Sequence, residues 1–203
     1  MKRNQHVIGR DPHQDVAADS FSREPGMTGS RTKRVAGISG SPSPVSKSRV
    51  LVETALAAFA GHGAETTLID LAALPADALL GRGTAPEVAG ALETVGRSHI
   101  VVVGTPVYRA TYSGLLKVFF DLMSSDSLVG KVGVPLVSGQ SRGHALALDH
   151  GLRPLFASLG ATVIAGGVYA TPEQFHDGIP GTELREAVAR AVREAERIGD
   201  VTK

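Results

Sequence analysis

Two stretches of the chain hold residue types that could do chemistry. The first reads Gly40-Ser41-Pro42-Ser43-Pro44-Val45-Ser46-Lys47-Ser48. It follows a short apolar run, Arg34 to Ile38, and leads into a helical pattern with Val50, Leu51, Thr54, Ala55, Ala58 and Phe59 on one face. A loop that feeds a helix presents unpaired N–H groups and the positive end of the helix dipole, which suits an anion. The hydroxyls of Ser41, Ser46 and Ser48 add donors, and Lys47 adds a full charge. Ser46 equally suits an N-cap, but capping does not call for four serines and a lysine within eight residues. The glycine fingerprint of dinucleotide-binding domains is absent from this loop, as is the Gly-Lys-Ser/Thr ending of a triphosphate loop. A phosphomonoester is the better match.

The second stretch, residues 98 to 114, reads Ser-His-Ile-Val-Val-Val-Gly-Thr-Pro-Val-Tyr-Arg-Ala-Thr-Tyr-Ser-Gly. Beyond its β-branched run, Thr105 to Tyr112 offers hydroxyls, backbone amides and two aromatic rings, with Arg109 as its sole charge. That chemistry suits a flat, polar-edged ring better than a metal or a bare phosphate. A third small polar loop, Ser138-Gly139-Gln140-Ser141-Arg142-Gly143-His144, closes a later strand. No nucleophile apparatus accompanies these loops: there is no Ser/His/Asp arrangement and no His-x-x-x-His pair. Asp149 and His150 are adjacent, which on a helix points their side chains apart. His62, His99 and His144 read as loop or surface residues.

The elements that must position these loops follow from periodicity. Ile100 to Val103 has no polar alternation, as in the middle of a parallel sheet covered on both faces, and Gly104 is expected to stop that strand. Further strands are expected at Ala64 to Ile69, Lys131 to Val137 and Ala161 to Tyr169. Asp70 to Pro86 reads as a Gly, Pro and Ala-rich connection, and Thr171 to Pro180 as a loop. Helices are expected over 87–97, 113–123, 145–159 and 182–198. The helix from Ser113 to Met123 carries Leu115, Leu116, Val118, Phe119, Phe120, Leu122 and Met123, more than one core face absorbs, which favours a subunit interface over deep burial. In the helix from Ala145, Pro154 cannot bond the carbonyl of His150, and Gly151 relaxes the backbone beside it. The irregularity therefore falls on His150, as a wide turn or a plain kink.

Strands alternating with helices through right-handed connections give an α/β protein, a flavodoxin-like three-layer α/β/α sandwich on a five-stranded parallel sheet of order 2-1-3-4-5. Ligands bind such sheets beyond the carboxyl ends of the strands, so the first and third-strand loops flank one crevice. A phosphate site and a flat-ring site in one crevice are the two ends of a flavin mononucleotide (FMN).

Composition narrows the class further. The chain has 203 residues; residues 1–33 mix charges with Gly, Pro, Ser and Asn and read as a disordered N-terminal tail, with Met27 equally able to open the protein. That leaves about 170 residues, 34–203, for one domain. A formal net charge of +1 gives no basic excess for nucleic acid and no acidic excess for a basic partner. With no cysteine, disulfides, thiolate metal sites and thiol nucleophiles are excluded, and a reducing cytoplasm is suited. No apolar run approaches membrane-spanning length.

From Arg34 to about Glu173 the chain resembles the NAD(P)H-dependent FMN reductases, especially those serving two-component alkanesulfonate monooxygenases. The matches are Gly40-Ser41-Pro42 with Ser46-Lys47-Ser48, then Gly104 to Lys117 without a break, Asp121-Leu122 and Gly130-Lys131-Val132. The resemblance implies that Ser41, Ser46 and Ser48 hold the FMN phosphate with Lys47 beside it. It implies that Thr105, Pro106, Val107 and Tyr108 line the ribityl chain and isoalloxazine, and that Ser138, Gly139 and Gln140 cradle the pyrimidine edge. It also implies hydride transfer from NADPH or NADH to FMN, release of FMNH2 to a partner monooxygenase, and a homotetramer. In sulfonate-linked members an inserted residue forms a π-turn in the fourth helix at the tetramer interface; His150 holds that place here. The departures are Ser43, where many members carry arginine, and Gly139-Gln140, where two glycines are common. Two rivals remain: an FMN-retaining quinone or azo reductase of the same fold, and a flavodoxin-like electron carrier without a nicotinamide site.

Overall fold

The computed structural model describes residues 32–201. The tail expected over residues 1–33 lies outside them apart from Thr32 and Lys33. Lys33 belongs with the folded part: its carbonyl accepts from the Glu65 amide at 2.8 Å and its ammonium lies 2.7 Å from the Asp200 carboxylate.

Four long strands run parallel: β1 (Arg34–Ser39), β2 (Glu65–Asp70), β3 (Ile100–Pro106) and β4 (Val132–Ser138). With β5 (Thr162–Val163) they stand in the order β2-β1-β3-β4-β5. This is the flavodoxin-like order expected from the sequence. Helices α1 (Lys47–Gly61), α3 (Pro86–Arg97), α4 (Gly114–Asp121), α5 (Arg153–Ser158) and α6 (Thr182–Val201) make the outer layers, and the four-residue α2 (Ala76–Leu79) lies in the connection after β2. On one sheet face Leu51, Val52 and Phe59 of α1 and Val188 and Val192 of α6 pack on Val35, Val102 and Val134. On the other, Val95 of α3, Phe119 of α4 and Phe156 of α5 pack on Ile38, Val101 and Val103. Alternate residues of β3 thus enter opposite cores, which is why the strand reads as unbroken apolar sequence.

The structure corrects several expectations. Gly104 does not stop β3, which continues to Pro106; it pairs in register with Ser39 and Leu136. Its role is close packing, since a Cβ there would sit 2.4 Å from Val52 and 2.6 Å from the Ser48 carbonyl oxygen. The fifth strand is not continuous: β5 and β6 (Val168–Ala170) each pair with β4, and the ladder is interrupted over residues 165–167, after the Ile164 amide donates to the Gly133 carbonyl at 3.1 Å. Glu194 accepts from the Ala165 and Gly166 amides at 2.7 and 2.9 Å, while the Arg153 guanidinium donates to the Ile164 and Ala165 carbonyls. These side chains take the backbone groups that a ladder would have used. The segment expected as a plain loop after Thr171 folds into a small hairpin, β7 (Phe175–His176) with β8 (Ile179–Pro180).

The helix expected from Ala145 is three pieces: a 3-10 turn at Arg142–Ala145, a π-helix at Leu148–Leu152 and α5. The Arg153 amide donates to the carbonyl of Leu148, five residues back. Pro154 supplies no N–H, so the ordinary bond to His150 is missing and the wider turn fills the gap. In α4, Ser113 is the N-cap rather than the first helical residue, and Leu116, Phe119 and Phe120 enter the core. Leu115, Val118, Leu122 and Met123 remain half-buried against it.

Candidate functional site

Strands β1, β3 and β4 end side by side, Ser39 opposite Gly104 and Pro106 opposite Ser138, so the loops after them meet at one edge of the sheet. They enclose a cavity of about 200 Å3 lined by Ser41, Ser43, Val45, Ser46, Lys47, Pro106, Val107, Tyr108, Ser138, Gly139, Gln140 and Pro172. The residues singled out in the sequence line it, except for Ser48 and Thr105.

Those two sit behind the wall. Ser48 is fully buried, its hydroxyl 3.2 Å from that of Ser46. Thr105 is also fully buried; its hydroxyl donates to the Pro106 carbonyl and accepts from the Ser113 amide, both at 3.0 Å. Ser113, which the sequence reading passed over, completes the frame. Its hydroxyl caps α4 by accepting from the Leu116 amide at 3.1 Å and donates to the Gly40 carbonyl, while the Gly40 amide donates to the Gly104 carbonyl at 2.8 Å. The first loop is thereby tied to β3 and α4. The signal for Ser113 was present, a serine directly before an apolar helix.

At the anionic end, Ser46 is both N-cap and lining residue, accepting from the Arg49 amide at 3.1 Å. The first N–H groups of α1 have no carbonyl one turn back and face this loop. Lys47 brings the charge, its ammonium 5.9 Å from the centre of the Phe175 ring, so hairpin β7–β8 steadies it. Arg49, the next cation along α1, is engaged by Glu53 at 2.8 Å and Asp70 at 2.6 Å; the hydrogen bond that it donates to Glu53, ahead of the two negative charges, raises its pKa. Ser43 uses its hydroxyl on the Val45 carbonyl at 2.9 Å and its amide on Ser41 at 3.1 Å, shaping the loop.

At the ring end, the Val107 amide donates to the Ser138 carbonyl at 2.8 Å and joins the second and third loops. Gly139 is required by space: a Cβ would lie 2.1 Å from the Tyr169 hydroxyl. That hydroxyl donates to the Ser141 carbonyl at 2.6 Å, and burial raises its pKa. Tyr108, 47% exposed, opens a tight turn in which its amide and the Thr111 carbonyl pair at 2.8 Å. Arg109 and Ala110, at the turn's centre, both have positive φ, 50° and 70°. The π-helix abuts this turn. A Cβ on Gly151 would meet the Thr111 hydroxyl at 2.7 Å and the Tyr112 ring at 3.2 Å. His150 points outward, exposed, and Asp149 pairs with Arg153 at 2.7 Å.

The other histidines among the described residues are absent from the cavity lining; His62 pairs with Glu196 at 3.0 Å, and half-buried His99 accepts from the Arg34 amide at 2.9 Å. No group of His, Cys, Asp or Glu among the described residues could hold a metal ion. The donor set fits FMN: hydroxyls, a lysine and a helix start for a phosphomonoester, then a proline, a tyrosine and glycine-flanked peptide planes for a flat ring. Fold and site together define a flavodoxin-like flavin-binding protein.

Comparison with known proteins places it within that class. The sequence model described as NADPH-dependent FMN reductase matches residues 33–176, and the chain belongs to this family of NAD(P)H:FMN oxidoreductases. It is 39% identical over 152 residues to the NADH-dependent FMN reductase SfnF of Pseudomonas fluorescens, covering 73% of this chain and 81% of that one. It is 32% identical over 164 residues to an FMN reductase (NADPH) of Pseudomonas putida, covering 79% and 83%. Among solved structures, the apo form of the NADH:FMN oxidoreductase EMOB superposes with a TM-score of 0.76 at 32% identity, covering 82% of this chain and 90% of that one.

Proposed function

We propose that this protein reduces FMN as an exchangeable substrate and supplies FMNH2 to a sulfonate-type monooxygenase in the cytoplasm. The observation that carries the reading is the open cavity to which all three strand-end loops contribute, with Ser41, Ser46 and Lys47 at one end and Pro106, Val107, Tyr108, Ser138, Gly139 and Gln140 at the other. Bound FMN supplies the hydride-accepting nitrogen; the chain need supply neither acid nor nucleophile. Its residues hold and orient. Lys47 and the α1 start neutralise the phosphate, the Thr105–Ser113–Gly40 bonds fix the loop spacing, and Tyr108 offers a ring face at the rim. A shallow cavity with a half-exposed tyrosine suits a flavin that leaves after each turnover. The 39% identity to the NADH-dependent FMN reductase SfnF supports the reduction of FMN, and the resemblance to reductases of sulfonate monooxygenase systems supports the partner.

The half-buried apolar face of α4, Leu115, Val118 and Leu122, supports assembly of copies into a tetramer. The test of the function is steady-state oxidation of NADH and NADPH with FMN, FAD, riboflavin and a quinone as acceptors. FMN should be favoured and the purified protein colourless. A yellow protein that reduces quinone faster than free FMN would establish the flavin-retaining enzyme instead.

A further inference from the structure

A second cavity, of about 530 Å3, adjoins the flavin cavity and shares Gln140 with it. Its other lining residues are Ser141, Arg142, Tyr169, Thr171, Glu173 and Gln174. One side is pinned: Tyr169 donates to the Ser141 carbonyl, the Gly139 amide donates to the Ala170 carbonyl at 2.9 Å, and the Thr171 amide donates to the Gln174 side-chain oxygen at 2.9 Å. With its oxygen engaged by the Thr171 amide, Gln174 keeps its NH2 as a donor at the cavity wall. Arg142, exposed, makes no ion pair with a carboxylate among the described residues. Glu173 is exposed, and the Thr171 hydroxyl bonds its carboxylate. A cation, two amides and a carboxylate within one hollow beside a flavin site match the parts of a dinucleotide that lie beyond its nicotinamide.

The geometry points to this cavity as the site for the adenosine diphosphate half of the reduced nicotinamide substrate, with Arg142 on the diphosphate and Glu173 on the adenosine ribose, so that Glu173 selects NADH over NADPH. A carboxylate accepts from a ribose 2′-hydroxyl and repels a 2′-phosphate, so one side chain supplies both the attraction and the rejection. The hydrogen bond from Thr171, then the residue's own backbone amide and, more weakly, the charge of Arg142, hold the Glu173 carboxyl below the usual carboxylate range. The ionised form is therefore favoured at neutral pH.

This assignment rests on the proposed reduction of FMN by a nicotinamide, and its test separates the two. Calorimetric binding of ADP-ribose and 2′-phospho-ADP-ribose to the full chain needs no turnover. The parent should bind ADP-ribose about tenfold more tightly than its 2′-phosphorylated form. Glu173→Gln, which keeps a polar group and removes the charge, should close that gap and raise kcat/KM for NADPH relative to NADH by a similar factor. Arg142→Ala should raise KM for both dinucleotides and leave KM for FMN unchanged. Equal binding of the two ligands by the parent, no binding of either, or an unaltered ratio in Glu173→Gln would overturn the assignment. Failure of the parent to reduce FMN with either nicotinamide would overturn the functional reading, while the binding ratio would still decide the role of Glu173.

Discussion

Lys47 and Thr105 show how differently residues of one motif contribute. Lys47 lines the cavity with its charge available, and a charge-assisted bond to phosphate is worth about 1.5–3 kcal/mol. Lys47→Met should therefore raise KM for FMN at least about tenfold and leave riboflavin kinetics unchanged, which steady-state assays with the two flavins would show. Thr105 acts through Ser113. Thr105→Val leaves the buried Ser113 amide without its acceptor and should lower stability by about 1–3 kcal/mol in chemical denaturation, whichever flavin is present. Glu173 adds a pH prediction. Its folded value lies below its unfolded one, so the ionised state is favoured by folding; that contribution is complete above the ordinary carboxylate value and is lost only as pH falls through the lowered value. Discrimination against 2′-phospho-ADP-ribose should thus weaken as the 2′-phosphate takes up its second proton near about pH 6 and disappear only once pH falls through the lowered value of Glu173, as binding titrations across that range would show. Sequence alone identified the lining serines and Lys47 by type and spacing. It could not separate Thr105 and Ser48 from them, because a hydroxyl looks the same whether it faces a ligand or a neighbouring backbone amide.

Among the elements, an irregularity at His150 was legible from Pro154 and Gly151, which left a wide turn and a plain kink open; the family resemblance implied the π-turn, and the segment is a π-helix at Leu148–Leu152. Its consequence was not legible. The wider turn carries Gly151 against Thr111 and Tyr112, so it braces the turn that holds Tyr108 at the flavin cavity. Deleting His150 should return this segment to α-helical register and rotate Gly151 away from that turn. The variant should then purify yellow and turn over free FMN more slowly than the parent. A colourless variant with the parental rate would show that the π-helix has no part in flavin release. The broken fifth strand was illegible for a related reason: Val163 and Val168 read as one apolar run, and only the tertiary approach of Arg153 and Glu194 takes the intervening backbone groups out of the ladder.

In the molecule as a whole, α4 shows how far amphipathicity reaches. Its excess of apolar residues pointed to an interface, and Leu115, Val118 and Leu122 do remain half-buried while Phe119 is wholly inside the core. If copies assemble through this face as proposed, Val118→Asp should give smaller species in light scattering with the fold retained, whereas Phe119→Asp should unfold the chain by placing an unpaired charge in the core. The order of the sheet, the two-sided burial of β3 and the position of the ligand loops at the carboxyl ends of the strands were all determined by the sequence, because apolar periodicity and the handedness of crossovers are local properties of the chain. The second cavity, the hydroxyl frame of Thr105 and Ser113, and the contact of Gly151 with Thr111 were decided only by the tertiary structure. Each brings together residues from separate loops or elements, and the distances between them are set by how the layers pack on the sheet rather than by any spacing along the chain.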